Sequence, residues 1–197
     1  MSAVAEPSYS LQEYLVRERT AVGKSEFYRG QIFAMAGGSP RHNTISGNIS
    51  ASLRGRLRGS SCRPFNSDQR IRIPANGLST YPDVSIVCGE LHLDVEDRDA
   101  IVNPRLIFEV LSKSTESYDR GKKFDFYRHL DSLREYILVS QDEPHVERFM
   151  RQEDGSWLLT VFKGMETELQ LGSVTCVLPF TEIYEDVTFG PEDTPNP

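Results

Sequence analysis

The chain of 197 residues has no apolar run approaching the roughly 20 residues that a membrane-spanning helix needs, so no membrane partner is expected. Its first ten residues, MSAVAEPSYS, lack the basic flank and the apolar stretch of a signal peptide. Export is therefore not expected, and the sequence points to a soluble cytoplasmic protein. Cysteine is scarce: Cys62, Cys88 and Cys176 are odd in number, far apart, and form no C-x-x-C pair. That argues against a disulfide framework and against a zinc ribbon, and the three read as reduced core or strand residues. Internal repeats, low-complexity segments and linker-like stretches are also missing. One domain over residues 10–187 follows, with flexible ends at 1–9 and 188–197.

Positive charge is in short supply overall, with a net charge of −7, which runs against nucleic acid as a partner because such binding is led by phosphate neutralisation. The charge is unevenly spread. Between positions 41 and 72 stand seven arginines (Arg41, Arg54, Arg56, Arg58, Arg63, Arg70, Arg72) against the single acid Asp68. The segment reads either as a phosphate-facing surface or as the solvated side of a helix.

Periodicity gives an α+β (α/β-like) chain. Ser10 to Arg19 has helical spacing, with Ser10 as N-cap. Ser25 to Tyr28 and Gln31 to Met35 form an N-terminal hairpin about Arg29-Gly30. From Arg41 to Arg58, Ile45, Ile49, Leu53 and Leu57 recur every four residues on one face of a helix, and His42 falls on that stripe. Strands are expected near 63–66, 69–73, 83–88 and 105–111, with the acidic stretch 90–100 as a loop. A helix is expected from Tyr118 to Leu130. Further strands at 135–140, 145–151, 157–162 and 174–178, then a helical turn from Pro179 to Tyr184, close the chain.

Glu109 carries the chemistry. A carboxylate inside Leu-Ile-Phe-Glu-Val-Leu must be paired or metal-bound. Alternation puts Ile107, Glu109, Leu111 and Lys113 on one strand face. Tyr-Pro-Asp at 81–83 places a second carboxylate at the start of another apolar strand. Two such acids side by side suit Mg²⁺ or Mn²⁺, whereas Glu109 alone would suit a structural salt bridge. In the next helix Lys123, Phe126, Tyr127 and Leu130 share a stripe, so Lys123 faces the core and needs an anionic partner. Asp119, one turn earlier, offers a plain i, i+4 pair. A carboxylate-pair glycosidase is set aside, because a buried lysine has no role in that mechanism.

Asp83, Glu109 and a following helix with a lysine together resemble the PD-(D/E)xK nuclease superfamily. The Glu26–Gly30 hairpin with His42 after it, Tyr-Pro-Asp-Val at 81–84, Phe-Glu-Val-Leu-Ser-Lys-Ser-Thr at 108–115, and Asp119…Lys123…Tyr127 with Arg-Glu-Tyr-Ile-Leu-Val at 134–139 are similar to the Uma (number two) family of bacterial restriction-endonuclease-like proteins. The likeness covers residues 10–180. It implies a restriction-endonuclease-like core, a mixed β-sheet flanked by helices, with the N-terminal hairpin and extra C-terminal strands added. It also implies a metal-dependent DNA endonuclease, expected as a homodimer, with Asp83, Glu109 and Lys123 catalytic and Asp83, Glu109 and His42 on the metal. Tyr127, Asp119 and Lys113 would support them. One departure stands out: Leu111 occupies the place of the superfamily's catalytic lysine, with Lys123 as the replacement from the helix and Lys113 as a lesser candidate. A non-catalytic binding or assembly protein with the same fold is the alternative.

Overall fold

The computed structural model describes residues 7–190. Helix α1 (Leu11–Thr20) is closed at its start by a capping box. The Ser10 hydroxyl accepts from the Glu13 amide while the Glu13 carboxylate accepts from the Ser10 amide. Strands β1 (Ser25–Tyr28) and β2 (Gln31–Ala34) form the expected hairpin, and both turn residues, Arg29 and Gly30, have positive φ. Helix α2 (Pro40–Arg56) starts at Ser39, whose Oγ accepts from the His42 amide. It buries Ile45, Ile49 and Leu53, three members of the four-residue repeat.

Strands β3 (Cys62–Asn66), β4 (Ile71–Ile73), β5 (Leu78–Thr80), β6 (Val84–Cys88) and β7 (Leu106–Leu111) follow. The helical crossover has three parts: α3 (Glu116–Tyr118), a π-helical turn (Asp119–Lys123) and α4 (Phe124–Tyr127). Strands β8 (Glu135–Ser140), β9 (His145–Arg151), β10 (Trp157–Lys163), β11 (Glu168–Leu171) and β12 (Cys176–Pro179) lead to α5 (Phe180–Ile183). The central sheet has the order β10-β9-β8-β7-β6-β3, with β7 and β8 parallel and the other neighbours antiparallel. A smaller sheet, β2-β1-β5-β4, stands apart, and β11 pairs with β12.

Burial on both faces explains why β7 reads as an apolar run broken only by Glu109. Leu106, Phe108 and Val110 join α2, α5 and the β11–β12 hairpin in one core. Ile107 and Leu111 join β4, β5 and α4 in the other. Glu109 shares this second face.

Several expectations need correction. Cys62 and Cys88 are not reduced: they lie opposite one another in the β3–β6 pair, with Cα atoms 3.9 Å apart, and form a disulfide. Cys176 is free and buried. The helix expected at 118–130 starts at Glu116, ends at Tyr127 and contains the π turn. The strands β5 and β11 are short additions that alternation over three or four residues does not reveal.

The arginine-rich segment divides: Arg54, Arg56 and Arg58 are exposed at and just past the end of α2, the solvated side of a helix, whereas others are held by acids. Arg70 is buried and holds Asp97 through two bonds of 2.6 and 2.8 Å. Buried Arg72 faces Asp94, Arg56 pairs with Glu182, and Arg41 pairs with Asp142. Arg54 and Arg56 stand at the far end of α2, about 20 Å from His42 at 1.5 Å per residue, and Arg58 lies just past the helix.

The flexible ends expected at 1–9 and 188–197 lie largely outside the described residues. Within them, the Tyr9 amide donates to the Gly30 carbonyl, and Phe189 stacks edge-on against Tyr184. No helix among the described residues is long and apolar enough to cross a membrane.

Candidate metal and catalytic centre

The register of β6 and β7 builds the site. Val84 pairs with Phe108, so the next step outward sets Asp83 opposite Glu109. Asp83 Oδ2 accepts from the Val110 amide at 2.7 Å, which fixes the carboxylate at the end of the strand pair. The same oxygen lies 3.2 Å from His42 Nε2. Burial works against protonated His42, but the hydrogen bond and charge of Asp83 outweigh it, and the imidazole titrates above its ordinary range.

Gly38 makes room for this contact. A Cβ there would fall 2.5 Å from His42 Nδ1 and 2.8 Å from Asn43 Oδ1. Gly38→Ala is therefore expected to push the ring off Asp83 and to lower the His42 titration midpoint, read from its imidazole proton shifts by NMR. An unchanged midpoint would mean that the loop yields instead of the ring.

Glu109 sits deeper. Its Oε1 accepts from Lys123 Nζ and from Tyr127 Oη, each at 2.9 Å. Lys123 Nζ also lies 3.3 Å from Asp119 Oδ1 and 3.7 Å from Glu26 Oε1. The π turn presents Asp119 and Lys123 together to the interior, a device common at functional sites. Glu26 reaches in from β1. It accepts a short hydrogen bond from Thr80 and a second, 3.0 Å long, from Tyr118 Oη.

Asp83, Glu109, Lys123, Tyr127, Asp119 and His42 are thus brought together, and Lys113 is not. Strand β7 ends at Leu111, so Lys113 lies in the exposed turn beyond it and not on the strand face. Glu26, which the sequence marks only as part of the hairpin, reaches Lys123. Its signal is an acid beside aromatics in a four-residue strand, legible only once β5 is known to lie beside it. Leu111 is buried in the core, so the position usual for the lysine offers no charge.

Four carboxylates (Glu26, Asp83, Glu109, Asp119) surround one ammonium and one imidazole. This excess of negative charge shows in Glu109. Burial first, then Asp119 and Asp83, push its carboxyl up to about 8 against the pull of Lys123. Burial opposes the charge of Lys123, yet Glu109, Asp119 and Glu26 raise it well above the ordinary lysine value. The donor set fits a hard divalent cation: the protein contacts fall on Asp83 Oδ2 and Glu109 Oε1, which leaves Oδ1 and Oε2 for an ion. Among the described residues no three acidic, imidazole or thiol groups already converge at coordination distance. His42 Nε2 in particular is spent on Asp83.

Comparison with known proteins gives the family and the fold. The family model described as "Uma2: Putative restriction endonuclease" matches residues 11–178. The chain belongs to the Uma2 family. Two proteins of Synechocystis sp., "Uncharacterized protein slr1290" and "Uncharacterized protein sll1609", are each 38% identical to it. The first match spans 93% of this chain and 95% of the relative, the second 80% and 89%. A crystal structure from Anabaena variabilis, described as "a putative nuclease belonging to DUF820", superposes with a TM-score of 0.72 at 17% identity. It covers 91% of this chain and 99% of that one. The Uma2 chain therefore has a restriction-endonuclease-like fold.

Proposed function

We propose that this Uma2 protein is a metal-dependent endonuclease acting on DNA. The observation that carries the reading is the β6–β7 register, which one step beyond Val84–Phe108 sets Asp83 opposite Glu109, with Lys123 on Oε1 of Glu109. Asp83 and Glu109 would hold Mg²⁺ or Mn²⁺, which when bound lowers the pKa of a water so that it can attack a phosphodiester. Lys123 supplies from the helix the positive charge that Leu111 does not, and it faces the phosphate charge that grows as the bond to the leaving oxygen breaks. His42 orients Asp83, and Tyr127 orients Glu109. The reacting phosphate approaches from the side of Asp83 and His42, because Glu26, Glu109, Asp119 and Lys123 are almost closed to solvent. A duplex cut needs two such sites, so the homodimer expected from the sequence belongs to this reading.

The test is Mn²⁺ titration followed by melting temperature and calorimetry, with cleavage of supercoiled DNA assayed beside it. Mn²⁺ should stabilise the fold in a saturable way. Since Glu109 titrates near 8, the ion must displace its proton at neutral pH. Affinity should therefore rise by up to about tenfold per pH unit between about 6 and 8 and level off above. Binding with this pH profile but no cleavage of any DNA would favour the non-catalytic binding protein. No binding at any pH would remove the metal site altogether.

A further inference from the structure

Lys123 is over-provided with acids. One ammonium needs one counter-charge, yet Nζ lies within 2.9 to 3.7 Å of Glu109, Asp119 and Glu26. These acids come from three separate elements: β7, the π turn and β1. Each is nearly buried, and Asp119 Oδ1 makes no hydrogen bond of acceptable geometry even to Nζ. Thr80 and Tyr118 hold Glu26 in place from outside, so its approach to Nζ is not an accident of a loose side chain. Three carboxylates converging on one point, one of them also facing a first cation, is the layout of a two-cation site, in which ions about 4 Å apart share a bridging acid. Glu109 stands between Asp83 and Lys123 as such a bridge would.

We infer that the ammonium of Lys123 fills the second cation position of this carboxylate cage, so the protein takes a single divalent ion, with Glu26 and Asp119 as positioning residues for the tethered charge. The inference rests on the metal-dependent reading above. It explains why the cage stands open at ammonium distances and not at the roughly 2.1 Å of a metal–oxygen bond. A charge fixed to the chain is present whatever the metal concentration, so binding of one ion completes the site.

The experiment counts Mn²⁺ bound per full-length chain, by calorimetry and by loss of the free-ion paramagnetic resonance signal. The wild type should bind one ion, Lys123→Met two, and the double variant Lys123→Met with Glu26→Gln one again. Two ions in the wild type, or one in Lys123→Met, would overturn the inference and leave the one-ion site intact. No ion in the wild type would instead refute the reading beneath it. If Lys123→Met is unfolded in metal-free buffer, circular dichroism during Mn²⁺ addition decides. Recovery of the fold supports a cation in the place of Nζ, and a chain that stays unfolded in millimolar Mn²⁺ counts against it.

Discussion

Asp83→Asn and Glu109→Gln should each reduce cleavage of supercoiled DNA by on the order of 10³-fold or more, while the chain stays folded. Both substitutions keep the shape of the side chain and remove its charge. An asparagine amide at position 83 can still present a carbonyl to the Val110 amide and to His42, so the strand ends remain tied. A glutamine amide at position 109 can still present a carbonyl to Lys123 and Tyr127. What each variant loses is an anionic oxygen for the divalent ion, and a hard cation prefers charged oxygen donors to neutral ones. Glu109→Gln should also flatten the rise of Mn²⁺ affinity between about pH 6 and 8, because the proton displaced by the ion is gone. Agarose-gel nicking assays in Mn²⁺, run beside thermal melts, check both parts. Cleavage within about tenfold of wild type in either variant would show that the acid does not hold the ion.

Lys123→Met should cost about 3–5 kcal/mol of stability in metal-free buffer, the largest structural effect of any single site substitution. The methionine fills the space, so the loss is electrostatic: Glu26, Glu109 and Asp119 remain buried with no cation among them. The folded-state pKa of Lys123 is raised above its ordinary value of 10.5. The stabilisation it gives is therefore complete below that value and is lost only as pH rises through the folded value, far above neutrality. Acidification works through the variant instead. As Glu109, whose carboxyl is pushed up to about 8, takes its proton, one buried charge disappears and the penalty shrinks, so urea melts of wild type and Lys123→Met should differ less below about pH 8 than above it. Parallel melts across that range would mean that the lysine packs as an aliphatic chain and its charge counts for little.

Much of this centre is legible in the sequence. Glu109 betrays itself as a carboxylate in an apolar strand, Asp83 as an acid opening another, and Lys123 as a cation on a core-facing stripe. These are local patterns, and local patterns survive folding. What the sequence hides depends on contacts between distant segments. Glu26 acquires meaning only through β5, a three-residue strand too short for alternation to register. The Cys62–Cys88 bond depends on β3 lying beside β6, a choice of partner and register that spacing does not state. The burial of Arg70 and Arg72 depends on Asp94 and Asp97, which lie in an acidic stretch whose docking against the arginines no periodicity reveals. Lys113 fails for the opposite reason: the alternation that would place it beside Glu109 stops two residues earlier, at the end of β7.

The reach of Glu26 has a bearing on how the protein comes into being. The carboxylate meets Thr80 from 54 residues away and Tyr118 from 92 residues away, and Lys123 follows a turn later. Contacts of such sequence separation close slowly, since the intervening chain must be ordered first. A nascent chain that has folded its hairpin still lacks the lysine, and one that has made the helix must yet dock it against the smaller sheet. On the endonuclease reading proposed above, late assembly of the centre is the expected result, and half-made chains would carry scattered acids and no site able to cut.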